Sequence, residues 1–286
     1  APPGSPQYDG LREFEHAFAF YGVVRGKLLG CRAHNVWGDG WFVGNDGRNA
    51  GSNPSVDFTV DDFESRGVGR QIGAISAHVS SSGGLNGAHG IIKGHKVLGR
   101  TRRAGVDIEP DLGRPVEDLE FVGFDISQTH LFPFTAGGHG NVRRIWLHDG
   151  KLGGNEASFQ NLNSDVEFAD IRYERVTHTG NVGPGTRFDN VKRLLLLDSI
   201  NTRIGNAPGN TTPAFRIKNC PDAFIQRNRG IGSALCIGPQ GIVTGTIGAP
   251  VGQPGANTHI PVPGGQDLLE PVMVGATPEP PAPVPP

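Results

Sequence analysis

Cysteine is scarce in this chain. Three residues, Cys31, Cys220 and Cys236, are too few for a disulfide framework. Pairing of Cys220 with Cys236 across a turn stays open beside single thiols packed in an apolar interior. No cysteine–histidine spacing suggests a metal. Charge of one sign is also missing, since 26 basic and 28 acidic residues leave a net charge of −2. That balance argues against a general affinity for nucleic acid or anionic membranes. The cluster Arg100, Arg102 and Arg103 has no stacking series of aromatics beside it and reads as a solvated corner. Long apolar runs are lacking, so membrane insertion is not expected. Helical periodicity is lacking too: Gly, Pro or Asn interrupts every candidate run within about ten residues. No leader is read at Ala1, and a processed chain and a fragment both remain open.

Glycine and proline are abundant instead, at 44 and 23 residues. Such a chain turns often. Between the turns runs a ladder of strand-like segments: Val116-Glu-Asp-Leu-Glu-Phe121, Val142-Arg-Arg-Ile-Trp-Leu147, Val166-Glu-Phe-Ala-Asp-Ile171 and Val191-Lys-Arg-Leu-Leu-Leu196. Their first residues lie 26, 24 and 25 positions apart (142 − 116, 166 − 142, 191 − 166). A period of that size marks a solenoid whose repeats bury their apolar sides against one another. The expected fold is all-β, a single-stranded right-handed parallel β-helix with coils of about 25 residues. Residues 1–12 read as an N-terminal loop, 13–247 as the β-helix, and 248–286 as a Gly/Pro-rich tail or linker. Asn141, Asn163, Asn190 and Asn219 read as left-handed or amide-stacked corners.

A second short strand precedes the ladder segments. Alternation aligns Trp41-Phe-Val43, Ile72-Gly-Ala74, Val106-Asp-Ile108 and Phe132-Pro-Phe134, with Trp41, Ile72, Val106 and Phe132 facing inward. Asp107 and Glu109 then face outward together, about 6.6 Å apart along the strand. Such a pair suits the acid and base of an inverting glycosidase. Asp39, Arg70 and His130 align in the corner before these strands. Gly40, Gly44, Gly73 and Gly105 read as the floor of a trough beside them, with Phe42 outward as a platform for a sugar ring. His16 and Gln71 join Phe42 as substrate-contacting candidates. The plainer alternative is that these acids cap turns and that Arg70 neutralises Asp39 or Asp107.

The phrases Asn35-Val-Trp-Gly-Asp-Gly40, Gly69-Arg-Gln-Ile-Gly73 and Gly105-Val-Asp-Ile-Glu-Pro110, followed by the ladder, resemble the pectate-lyase-like β-helix proteins. Secreted bacterial and phage tailspike-like members are the nearest in kind, over roughly residues 11–245. The resemblance implies a polysaccharide partner, bound and cleaved by hydrolysis or elimination, in an extracellular or virion-associated protein. It places Asp39, Arg70, Asp107 and Glu109 where such proteins keep acids, an arginine or Ca²⁺ ligands. Hydrolysis would use Asp107 and Glu109. Elimination would use Arg70 or His130 as base, with Ca²⁺ as the implied cofactor. A polygalacturonase-type signature is missing, because the one Asp-Asp pair, Asp61-Asp62, lies inside a strand-like segment. The alternative function is a non-catalytic adhesin or phage tail protein, a homotrimer in the phage-like case.

Overall fold

The computed structural model describes residues 12, 14–44, 55–76, 90–93, 96–97, 104–110, 115–127, 129, 132–161, 163, 165–180, 184–207, 211–264, 266–273 and 275. Three parallel sheets form a β-helix, and the chain visits them in rotation. The first sheet stacks nine strands: Phe18–Tyr21, Trp41–Gly44, Gln71–Ser76, Ala104–Ile108, Phe132–Gly137, Ala157–Gln160, Thr186–Asp189, Pro213–Lys218 and Leu235–Gln240. The second sheet runs from Lys27–Leu29 to Gly245–Ile247, and the third from Arg32–His34 to Thr258–Ile260. No helix among the described residues is long and apolar enough to cross a membrane. One register step ranges from 22 residues (Ala223 to Gly245) to 33 (Gly73 to Val106), because loop length varies while strand stacking does not.

The ladder segments lie in the second sheet and share one rule. Val116, Leu119 and Phe121 point inward, as do Val142, Ile145 and Leu147. The inward spacing of three and then two needs one extra residue, and every turn carries it, so adjacent strands stay matched one to one. Asp118, Arg144, Asp170 and Arg193 occupy that place with φ of 55°, 53°, 56° and 50°. Left-handed backbone is costly for residues other than glycine. Here acid and base alternate from turn to turn. Arg193 grips Asp170 at 2.7 and 2.8 Å, and Arg144 reaches Asp118 Oδ2 at 2.8 Å.

Register corrects one rung of the ladder. Val142 pairs with Phe168, not Val166, and Phe168 pairs with Val191. The strand of this turn begins at Phe168, two residues later than equal spacing implies. Cys220-Pro-Asp-Ala-Phe-Ile225 repeats the rule in the next turn, with Asp222 left-handed at φ 57°. Cys220 is therefore an interior rung. It and Cys236 are buried, unbridged thiols, each pushed to a higher pKa by burial.

The interior is a set of stacked columns. Phe121, Leu147, Tyr173, Leu196, Ile225 and Ile247 follow one another in register, none more than 1% exposed. Each such side chain contributes about 1.5–3 kcal/mol through burial. Under the first sheet, Phe134, Phe159 and Phe188 stack with centroids 5.1 and 5.0 Å apart. At the corner between the second and third sheets a further charge ladder runs Asp149, Arg175, Asp198, Arg227, all left-handed. Arg175 grips Asp149 at 2.6 and 2.8 Å, and Arg227 grips Asp198 at 2.7 and 2.8 Å. Of the four corner asparagines, Asn190 and Asn219 are left-handed, and the Asn219 side-chain amide donates to Asn190 Oδ1 at 3.1 Å, whereas Asn141 and Asn163 are not left-handed.

One boundary and two column positions also shift. Thr258–Ile260 pairs with Arg229–Ile231, so the coil runs past residue 247. The segment that follows crosses the end of the coil. Met273 pairs antiparallel with Ile247, and Glu270 accepts from the backbone N–H groups of Cys236 and Ile237. In the first sheet, Trp41 pairs with Gly73, Gly73 with Val106, and Val106 with Phe134. The aligned columns therefore hold Gly73 and Phe134 where Ile72 and Phe132 were expected. Gln71 through Ile75 are all buried, so alternation carried no signal there.

Gly73 leaves room for the indole of Trp41. A Cβ at position 73 would lie 2.1 Å from Cε2 and Cζ2 of that fully buried ring. We expect Gly73→Ala to destabilise the fold by about 1–3 kcal/mol. Adding Trp41→Leu should recover part of that loss, read as non-additivity of urea midpoints. Additive costs would show that the two residues do not share this space.

Candidate functional site

Two columns of outward side chains run along the first sheet. One passes through Ala19, Phe42, Ala74, Asp107, Thr135, Ser158, Arg187 and Arg216. The other includes Tyr21, Gly44, Ser76, Gly137, Gln160, Asp189 and Lys218. Glu109 enters the second column just beyond its strand, where its N–H donates to the Ile75 carbonyl at 2.9 Å. Asp107 and Glu109 therefore share one outer face, as the alternation required.

Stacking of the turns gathers the other candidates around them. Asp39 is fully buried. Its Oδ2 lies 3.1 Å from His16 Nδ1 and 3.2 Å from Arg70 Nη1, while Oδ1 accepts from the Gln71 N–H at 3.1 Å. The Asp39 N–H also approaches His16 Nδ1, at 3.4 Å. One nitrogen cannot both donate and accept. The shorter, charged contact assigns the proton to Nδ1. Arg70 Nη2 reaches on to Glu109 at 3.6 Å, and the Gln71 amide donates to Asp107. Asp39, Arg70, Gln71, Asp107, Glu109 and His16 thus form one connected network drawn from four turns.

Several expectations change. Arg70 is 8% exposed and held between two carboxylates, so its guanidinium does not face solvent as a free cation. It stands beside Gly38, one place before Asp39 in register, and Gln71 occupies the position expected for it. Phe42 is not an open platform. His16 stacks on it at 4.8 Å and 13°, and its ring fills the space above Gly44. Tyr21, whose ring lies 5.4 Å from Phe42, is exposed at 52%. The glycine floor is absent as well. A Cβ on Gly105 would strike Ile126, and one on Gly40 would meet the Ile72 carbonyl and Phe63, so both face packed protein. His130 lies outside the described residues, as do the corner loops 45–54 and 80–89.

Sequence reasoning missed a second patch, with Arg187, Asp189 and Arg216 in the same columns and Glu156 beside them. Aligning Thr-Arg-Phe-Asp189 with Phe-Arg-Ile-Lys218 by alternation was the available signal. Among the described residues, no three His, Cys, Asp or Glu side chains converge on a metal position. No protein-family model, curated protein or solved structure matches the chain.

Proposed function

We propose that the outer face of the first sheet binds a polysaccharide and that Asp107 and Glu109 hydrolyse it. The observation that carries this reading is the placement of two carboxylates on one face of one strand turn, each held by a partner from the preceding turn. Gln71 fixes Asp107, and Arg70 stands at Glu109. Strand positions two apart lie about 6.6 Å from one another, a spacing at which an inverting pair leaves room for a water molecule. Glu109, whose side chain is 41% exposed, meets that water. It takes the proton as the water oxygen bonds to the anomeric carbon. Asp107, 8% exposed, gives its proton to the glycosidic oxygen as the bond to that oxygen breaks.

The same geometry weighs against elimination through Arg70. A guanidinium held by Asp39 and Glu109 does not give up its proton to become a base. Tyr21 offers the apolar ring for a sugar face. A protein of this kind meets its polymer outside a cell or on a virion.

The test is a panel of neutral and acidic polysaccharides, followed by reducing ends and by ultraviolet absorbance of unsaturated sugar. New reducing ends without absorbance are expected. Asp107→Asn should lower turnover about a hundredfold or more while polymer binding persists. Absorbance would establish a lyase instead. Binding without turnover would establish the non-catalytic reading.

A further inference from the structure

Arg187 and Arg216 stack in register on adjacent strands, and both turn to a single counter-ion. Asp189 Oδ2 accepts from Arg187 Nε at 2.8 Å and from Arg216 Nη2 at 2.9 Å. Glu156 stands 3.7 Å from Arg187. Burial pushes its carboxyl above the ordinary pKa, against the pull of Arg187 and Arg216. Lys218 follows Asp189 in the outer column and is exposed. Beneath the same corner lies Arg203, 1% exposed, whose guanidinium donates to the Asn155 carbonyl at 2.6 Å and faces Asn201 Oδ1 at 3.5 Å. Burial lowers its pKa to about 10, which leaves it cationic at neutral pH. Four cations, Arg187, Arg203, Arg216 and Lys218, thus gather around two carboxylates, Glu156 and Asp189.

Asp189 is nearly sealed, at 4% side-chain exposure, whereas Arg187 and Arg216 keep 25% and 22%. The acid is spent inward and the guanidinium edges remain at the surface. An arginine fork suits the planar or tetrahedral oxygens of an anion. Between this patch and Asp107 the column holds only Thr135 and Ser158, and the neighbouring column holds Gly137 and Gln160. Among the described residues of these two columns, the largest side chain on that path is Gln160. Asp107 and Arg187 are three strand spacings apart, about 14 Å.

We propose that Arg187 and Arg216 form an anion subsite that seats a charged ring of an acidic glycan, three turns from Asp107 and Glu109. This inference rests on the reading of the first-sheet face as a glycan site and narrows its ligand to polymers bearing carboxylate or sulfate. Ser158 and Gln160 line the path to it. Arg70 does not serve this purpose, because its side chain is only 10% exposed between Asp39 and Glu109.

The experiment measures binding of the full chain to polygalacturonate, dextran sulfate and dextran by affinity electrophoresis. At least one acidic polymer should bind tenfold or more tightly than dextran at low salt, and added salt should erode the difference. Which acidic polymer binds better assigns carboxylate or sulfate. Arg216→Gln should weaken acidic-polymer binding about tenfold and leave dextran unchanged, with Arg216→Lys between them. Circular dichroism checks the coil in each variant, and the three-polymer comparison on the native chain decides the matter even if a variant fails to fold. Equal binding of dextran and the acidic polymers, or indifference to Arg216→Gln in a folded variant, overturns the subsite and leaves the glycan face standing. No binding to any polymer overturns both.

Discussion

Asp39→Asn should cost about 3–5 kcal/mol of stability, although it changes one atom. Asp39 is the shared counter-ion of two buried groups. His16 stands at 3.1 Å and Arg70 at 3.2 Å, with side-chain exposures of 3% and 10%. An amide in its place turns N–H donors toward other donors, and the guanidinium loses its buried partner. Removing one member of a buried pair leaves a desolvated charge, which is far more costly than never having built the pair. The measurement is the urea midpoint at constant slope. Asp39→Leu combined with Arg70→Met should recover most of the loss, since a well-packed apolar pair replaces a buried ion pair at little cost. A loss below about 1 kcal/mol in Asp39→Asn would show that water screens the network as it screens exposed pairs.

This network shows how far the sequence is readable. Asp39, Arg70, Gln71, Asp107 and Glu109 were legible because a solenoid turns a one-dimensional repeat into contacts between adjacent turns. His16 joins them one turn earlier, through Asp39. The exact register was less legible. Gln71 through Ile75 are buried at every position, so nothing in their polarity tells inside from outside. That ambiguity put Ile72 in the column that Gly73 occupies, whereas Phe132 stands two residues before Phe134 on a different strand and is exposed. It also cast glycines as a trough floor when they make room for Trp41, Phe63 and Ile126. Phe42 was rightly placed on the outer face, but the sequence did not reveal that His16 would cover its ring.

The charge ladders carry information that composition conceals. A net charge near zero looks featureless, yet the signs alternate by turn at two sets of left-handed positions. Asp118, Arg144, Asp170 and Arg193 form one series; Asp149, Arg175, Asp198 and Arg227 form the other. In the third sheet, Arg32, Glu64, Lys96, Asp125 and Lys151 follow one another in register. Each exposed pair adds at most about 1 kcal/mol. Their joint effect is on register: omitting one turn from the stack would set acid on acid and base on base along both left-handed series. The inward-spacing rule hides in the same residues. Inward positions spaced three and then two fit neither a plain strand nor a helix, and only the left-handed residue between them reconciles the spacing with a sheet.

Lowering the pH should destabilise the fold well before ordinary carboxylates titrate, and His178 is the reason. Its ring is fully buried inside the coil, with Nδ1 3.3 Å from the Thr186 hydroxyl. Asn201 donates to the same hydroxyl at 3.3 Å, and Tyr173 lies 3.4 Å from it. Burial first, and then the nearby Arg203 charge, lowers the His178 pKa to about 3. An unfolded histidine titrates near 6.5. Above that value neither state holds the proton, and stability is independent of this group. Between 6.5 and about 3 the unfolded chain holds a proton that the folded chain refuses, so stability falls by about 1.4 kcal/mol for each unit of decreasing pH. The exposed carboxylates act in a lower window. Asp149, held down by Arg175 and then by His148, contributes above the usual carboxylate range and loses its contribution as pH falls through and below it. Comparison of pH 7 with pH 5 lies above that window, and subtracting a His178 variant removes the contributions of the other histidines and of Glu156. Between those two values the native chain should lose about 2 kcal/mol more than His178→Asn, in urea midpoints taken at matched slope. The imidazole resonances of His178 should remain those of a neutral ring down to pH 4 in the folded protein. Equal losses in both proteins, or a ring that takes up its proton near pH 6 without unfolding, would mean that the coil interior admits the charge.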